Sequence, residues 1–395
     1  MKAALSARFS ISILIGLSTT LPPVSAAAAD PLATWHVRTP PTSPTQEDFN
    51  GIAYGAGRWV VVGGDGSILT STDGVTWEPQ FNPAAPRGLQ DVGYANGQFV
   101  AIGSRADDLL TSPDGVVWTR GSLGLSGGRK VIHDGTRFIV LASGGFLGIS
   151  TNAINWDSQY RVPMKFVDAG GIAFGNGAYV EVGYMRTGQP TDLYSSSNLT
   201  QWTFHDAQVN ENLMDVTFGL GLFVAVGQDG AITTSPDGAE WTPRKVDHTG
   251  FIWDLACDGQ HLVAAAQWGR LLVSDNGIDW TRHDTGLPWH LTDVAYGNGT
   301  FIAVGWNGQI VQSDPVLTFP VPIPIGTRLS NPSWTDDRFS FQFTAIAGRS
   351  YEIQTSTDGR VWTQAATIVA PDSKPQIVDP AADGRHRFYR IVKLN

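Results

Sequence analysis

Asp293-Val-Ala-Tyr-Gly-Asn-Gly-Thr-Phe301, running on through Ile302-Ala-Val-Gly305, decides the fold because the chain repeats it. Asp91-Val-Gly-Tyr-Ala-Asn-Gly-Gln-Phe99 with Val100-Ala-Ile-Gly103 is the same phrase, and Asp215-Val-Thr-Phe-Gly-Leu-Gly-Leu-Phe223 with Val224-Ala-Val-Gly227 is another. Related segments open near Gly51, Arg129, Gly171 and Asp254, which makes seven units. Within a unit, Asp-Val-Ala-Tyr reads as strand A and Gly-Asn-Gly as a tight turn. Phe-Ile-Ala-Val-Gly reads as strand B. Apolar residues on both strands predict sheets covered on both faces.

The first six units close on a second signature, Ser-x-Asp-Gly-x-x-Trp. Strict copies are Ser71-Asp73-Gly74-Trp77, Ser112-Asp114-Gly115-Trp118 and Ser235-Asp237-Gly238-Trp241, and relaxed copies end in Trp156, Trp202 and Trp280. Strand C runs into the Ser, Asp-Gly makes the next turn and the Trp opens strand D. The Trp residues recur roughly every 40 positions, the length of a four-stranded propeller blade.

The seventh unit stops at Ser313-Asp314-Pro315 without its Gly-x-x-Trp. The missing strand lies at the other end of the chain, where Trp35-His36-Val37-Arg38 resembles Trp241-Thr242-Pro243-Arg244. The expected fold is therefore all-β: a seven-bladed β-propeller over residues 30–314, closed by an N-terminal strand that removes an open sheet edge.

Residues 315–330 carry Pro315, Pro320, Pro322 and Pro324 and read as an extended linker. Residues 331–395 hold strand patterns at Phe339–Phe343, Tyr351–Gln354 and Arg387–Val392, which predict a small antiparallel β-sandwich. Residues 1–29 have the form of a signal peptide, with Lys2 and Arg8 before the apolar stretch Phe9–Leu21 and small residues Ala26–Ala29 at its end. That places the protein in the periplasm or outside the cell. The apolar stretch is shorter than the ~20 residues of a membrane span.

Composition agrees with short strands and tight turns: 45 Gly and 14 Trp, with only 16% charged residues. A net charge of −10 argues against nucleic acid as a partner. The lone Cys257 cannot form an internal disulfide and reads as a core residue.

The Ser-x-Asp-Gly-x-x-Trp hairpin resembles the Asp-box, or BNR, repeat of sialidases, sortilin-type receptors, photosystem assembly factors and exported bacterial propellers. The resemblance covers residues 33–314, in a form one residue shorter between Asp and Gly than the usual sialidase box. It implies that the Ser and Asp fix the turn and the Trp packs between blades, so Asp73, Trp77, Asp114, Trp118, Asp237 and Trp241 are structural. The pattern Gly348-Arg-Ser-Tyr351, Ser356-Thr-Asp-Gly359, Trp362 and Arg387-Phe-Tyr-Arg390 resembles a C-terminal module of exported multidomain bacterial proteins. That resemblance implies no function.

With this strand order, the B-to-C and D-to-A loops share one face, the expected binding face, away from the Asp-Gly turns. Blades 4 to 7 concentrate chemistry there: His205, Asp206, Glu211, His248, Trp253, Trp268, Arg270, His283, Asp284, Trp289, His290 and Trp306. Blades 1 to 3 offer Asp107, Asp108, Arg129, Tyr160, Arg161 and Lys165. Trp beside polar groups suits sugar rings, whose C–H faces stack on an indole while charged neighbours bind hydroxyls. The ligand-binding candidates are Trp253, Trp268, Trp289 and Trp306. Asp215, Asp254 and Asp293, which with Asp91 open strand A in four blades, either bind a ligand at the channel mouth or cap backbone N–H groups.

No nucleophile elbow, zinc helix or phosphate loop is present. The Arg-Ile-Pro signature of sialidases is also missing. His248, His283 and His290 with Arg270 are the candidates for acid–base chemistry on a uronate polymer. Two readings stay open. One is an exported propeller binding a polysaccharide, a cell-envelope component or a protein. The other is a carbohydrate-active enzyme, lyase or hydrolase. Neither calls for a metal or cofactor.

Overall fold

The computed structural model describes residues 30–40, 48–80, 88–163, 168–184 and 192–316, and six strands beyond them. Blade 1 is built from Phe49–Gly55, Arg58–Gly63, Ile68–Ser71 and Glu78–Pro79. Five more four-stranded antiparallel blades follow, their innermost strands A being Leu89–Ala95, Gly128–His133, Asp168–Gly175, Leu213–Gly219 and Ile252–Cys257. Blade 7 has Leu291–Gly297, Thr300–Gly305 and Gln309–Ser313, with Trp35–Arg38 as its outer strand. Each strand A packs beside the strand A of the next blade, and blade 7 meets blade 1, so the ring closes.

The closing strand pairs in register from Trp35 opposite Ser313 to Arg38 opposite Ile310. Side chains fasten it. His36 Nε2 lies 2.7 Å from Asp314 Oδ1, and Arg38 Nε donates to Gln312 at 2.9 Å. Leu32 is fully buried among Val263, Leu291 and Phe301. Val316 joins the same cluster, so the propeller core extends at least two residues past Asp314.

Alternation along strand B splits the core into layers between blades. Phe99 and Ala101 pack with Val60 and Val62 of blade 1, while Val100 and Ile102 pack with Phe138 and Val140 of blade 3. Large apolar side chains thus meet on both faces of every blade, as the doubly apolar strands predict.

The hairpins between strands C and D show why the Ser, Asp, Gly and Trp recur. Asp114 Oδ1 accepts from the N–H groups of Val116 and Val117 at 2.9 and 3.0 Å, and Ser112 Oγ accepts from Gly115 N–H at 2.8 Å. Gly115 takes φ +75°, and Trp118 donates its indole N–H to Gly115 O at 3.0 Å. Asp73 and Asp237 repeat this arrangement, and the backbone hydrogen bonds hold all three carboxyls below their usual range. Trp77, Trp118 and Trp241 are buried in the inter-blade layers. In the relaxed copies Asn152, Asn198 and Asn276 replace the Asp as turn acceptors.

Beyond the propeller, Ser330–Thr335, Arg338–Gln342 and Gln376–Asp379 form one antiparallel sheet. Ser350–Ser356, Thr363–Val369 and Phe388–Lys393 form another. These are six strands where the sequence pattern marks three. The leader, most of the Pro-rich linker, Lys165, and the Gly359 and Trp362 of the C-terminal hairpin lie outside the described residues. No helix among the described residues is long and apolar enough to cross a membrane.

Candidate functional site

Two polar regions stand out, one at the axis of the ring and one on its face. At the axis, one position of every strand A faces the centre: Gly51, Asp91, Lys130, Gly171, Asp215, Asp254 and Asp293 in blade order. Three of the carboxylates staple the next blade. Asp91 accepts from Val131 N–H at 2.7 Å, Asp254 from Val294 N–H at 3.1 Å and Asp293 from Ile52 N–H at 2.6 Å. These bonds satisfy N–H groups on the inner edge of each sheet, where strand A has no neighbouring strand. Glycine is required at position 51, where a Cβ would fall 2.8 Å from Asp91 Cα.

Lys130 of blade 3 reaches across the axis. Its ammonium bonds Asp254 of blade 6 and lies 3.6 Å from Asp215 of blade 5. Burial works against the charge of Asp254, but Lys130 and hydrogen bonds from Asp293 and Asp215 overcome it and hold its carboxyl low. Burial raises Asp215 and Asp293 well above the usual carboxylate range. Asp91, also pushed up by burial, reaches about 6. Burial opposes the Lys130 charge, yet the surrounding carboxylates hold its pKa well above normal. Among the described residues no group of His, Cys, Asp or Glu is arranged to hold a metal ion.

The strand A aspartates are therefore buried, Asp91, Asp254 and Asp293 bonded to backbone of the next blade and Asp215 and Asp254 facing Lys130. Sequence reasoning missed Lys130. Its signal was present, because Lys130 aligns with Asp91 in the repeat and is the one basic residue at that position.

On the face, the turns between strands B and C of blades 5 to 7 stand beside the loops that enter blades 6 and 7. Gly230 N–H donates to Gly250 O at 2.9 Å and Trp306 N–H to His290 O at 2.9 Å. The turns of blades 5 and 7 place Asp229 and Asn307 in the left-handed region, at φ +53° and +58°. Short polar side chains tolerate that conformation. Blade 6 puts Trp268 there, at φ +60°, where a bulky side chain is strained.

Trp268 is 46% exposed. Its ring lies 6.3 Å from that of His290 at a steep angle, and His290 lies 4.3 Å from Trp306, itself 37% exposed. The three rings form an open aromatic crescent. Arg270 places its guanidinium 5.2 Å from the Trp268 ring and is itself held by Asp284 at 3.0 Å. Arg282 links Asp284 to Asp247, completing a charged rim.

His248 borders the crescent, 6.5 Å from Trp268, but is buried, and neither ring nitrogen closes a hydrogen bond of normal geometry. Burial lowers its pKa, with the Phe251 backbone opposing. Burial also lowers His290. Both imidazoles are neutral at pH 7.

The remaining candidates are dispersed. Trp289 is 44% exposed in the loop into blade 7. Trp253 stacks on Phe251 at 4.8 Å and is half-buried in strand A. His205 and His283 stand on outer strands D and not in loops, because those strands run on to Asp206 and Asp284. His205 bonds Ser195 at 2.8 Å, and His283 pairs opposite Leu271. Asp206 and Glu211 each cap a neighbouring backbone N–H. Arg161 covers the Phe146 ring at 4.8 Å, and Asp108 caps Arg105 N–H.

No protein-family model matches the chain, and no curated protein matches its sequence. Solved structures do share its fold. YCF48 from Cyanidioschyzon merolae is 19% identical, with a TM-score of 0.56 over 72% of this chain and 100% of its own. YCF48 bound to D1 peptide is 17% identical, with a TM-score of 0.57 over 73% and 96%. Virginiamycin B lyase from Staphylococcus aureus is 10% identical, with a TM-score of 0.61 over 71% and 99%. At these identities the likeness extends to the propeller fold.

Proposed function

We propose that this chain is an exported recognition propeller that binds a polysaccharide or another cell-envelope component across the face of blades 6 and 7. The observation that carries the reading is the crescent of Trp268, His290 and Trp306. Large aromatic rings stay exposed there beside a charged rim, and one of them is held in a strained backbone conformation. Exposed indoles cost solvation unless a ligand covers them, and sugar C–H faces suit them. The Arg270–Asp284–Arg282 rim supplies donors and acceptors for hydroxyl groups. The leader-like N-terminus supports export, and the blade-closing strand begins soon after it.

Binding here needs no catalytic group, and His283 stands on the outer strand of blade 6. The test is retention of the purified mature protein by a panel of neutral, uronic and sulfated polysaccharides. New reducing ends and unsaturated-uronate absorbance are followed in the same samples. Retention without new ends supports recognition. New ends would make the protein a hydrolase, and with uronate absorbance a lyase. Silence across the panel, with capture of an envelope peptide instead, would move the ligand class to protein, the class named for one structural neighbour.

A further inference from the structure

The inner loops of blades 1 and 7 solve one problem with different chemistry. Asp48 and His290 occupy equivalent places, three residues before the axial positions Gly51 and Asp293. Each caps the left-handed residue in the B-to-C turn of the preceding blade. Asn307 N–H donates to Asp48 Oδ1 at 2.8 Å, and Trp268 N–H donates to His290 Nδ1 at 3.2 Å. An aspartate side chain offers two acceptor oxygens for such a bond. An imidazole accepts it only while Nδ1 carries no proton. The bond therefore fixes the neutral Nε2–H tautomer of His290.

We infer that His290 is the positioning residue of the aromatic crescent and a protonation-sensitive cap, so that acid frees Trp268 from its ligand-competent turn. Protonation would set an N–H of the imidazolium against the N–H of Trp268 and remove the acceptor of that strained residue's amide. It would also put a cation between Trp268 and Trp306, near the Arg270 guanidinium. The charged groups around this spot are Arg270 with its partner Asp284, Arg282 beyond it, Asp48 on the Asn307 turn and the neutral His248 across Trp268. Burial acts on His290 in the same direction, keeping it neutral at pH 7 and delaying its protonation to below the ordinary histidine range of about 6.5.

This inference rests on the crescent being the binding face, but its test needs no ligand. Whole mature protein labelled with 15N at tryptophan is followed from pH 8 to pH 5, the Trp268 amide being assigned by loss of its signal in Trp268→Phe. The expected result is an amide shift that moves on the same curve as the His290 ring protons, while the amides of Trp77 and Trp241 stay fixed. At pH 8 the His290 Nδ1 resonance should be that of an unprotonated acceptor. His290→Asp, which borrows the Asp48 cap, should hold the Trp268 amide in place over the same range. A Trp268 amide that ignores His290 titration in wild type, or that titrates unchanged in His290→Asp, would overturn the cap. If the cap titrates while the polysaccharide panel stays silent, the binding reading fails and the switch stands.

Discussion

The axis and the face of this propeller invert the usual placement of polar and apolar groups. At the axis, four aspartates and a lysine are drawn inward beside the blades. On the face, two tryptophans of the crescent are left in water. The difference lies in satisfaction. Three of the axial carboxylates accept hydrogen bonds from a neighbouring blade, and Lys130 faces Asp215 and Asp254, so much of their burial is compensated. The crescent is uncompensated: its indoles are exposed and Trp268 sits in a strained turn. Buried charges with partners serve the ring, whereas large rings left half in water point to a ligand.

The largest expected effect tests the axial half of this comparison. Lys130→Met leaves the carboxylates without their counter-charge and should cost about 3–5 kcal/mol in denaturant unfolding at neutral pH. The loss should shrink toward pH 5, where protons can replace the ammonium. A variant as stable as wild type at both pH values would show that the cluster does not hold the ring.

A smaller effect follows from Asp91. Its folded pKa, about 6 through burial, lies above the ~3.9 of an unfolded aspartate. The native state thus binds this proton more tightly than the unfolded chain. Its contribution is present below about pH 4 and is lost as the pH rises through 6. Stability curves of wild type and Asp91→Asn should therefore diverge in favour of the variant between pH 4 and pH 7. Parallel curves would place the titration elsewhere.

On the face, Trp268→Asn installs the residue that blade 7 uses at this turn. Relief of the left-handed strain should raise stability by about 1 kcal/mol while abolishing retention by the polysaccharide ligand. A loss of stability would mean that Trp268 is a packing residue. Smallest of all, Asp114→Ala removes an exposed turn acceptor and should cost about 1 kcal/mol with no change in binding.

The blades were legible because repetition averages out local ambiguity. Seven copies of one phrase located strands A and B, and Asp114-Gly115 with Trp118 located the turn and the strand after it. The closing strand at Trp35 was legible because blade 7 visibly lacked it. The site was harder to read. Residue types picked out Trp268, His290 and Trp306, but the same rule gathered His205 and His283, which a sequence cannot separate from loops when a strand runs on past its motif. Lys130 escaped because it breaks the pattern, and its role appears only when the opposite side of the ring is brought within reach. The strain at Trp268 was invisible, since backbone conformation at a Gln-Trp-Gly turn depends on the loops packed around it.

Electrophoresis through gels containing each polysaccharide of the panel distinguishes a ligand-binding crescent from an idle one, comparing wild type with a Trp268→Asn/Trp306→Ala double variant whose melting temperature is measured alongside. Wild type should be retarded in at least one gel, and the double variant should run freely at an unchanged or higher melting temperature. Equal retardation of both proteins, or free running of wild type in every gel, would contradict binding at the crescent.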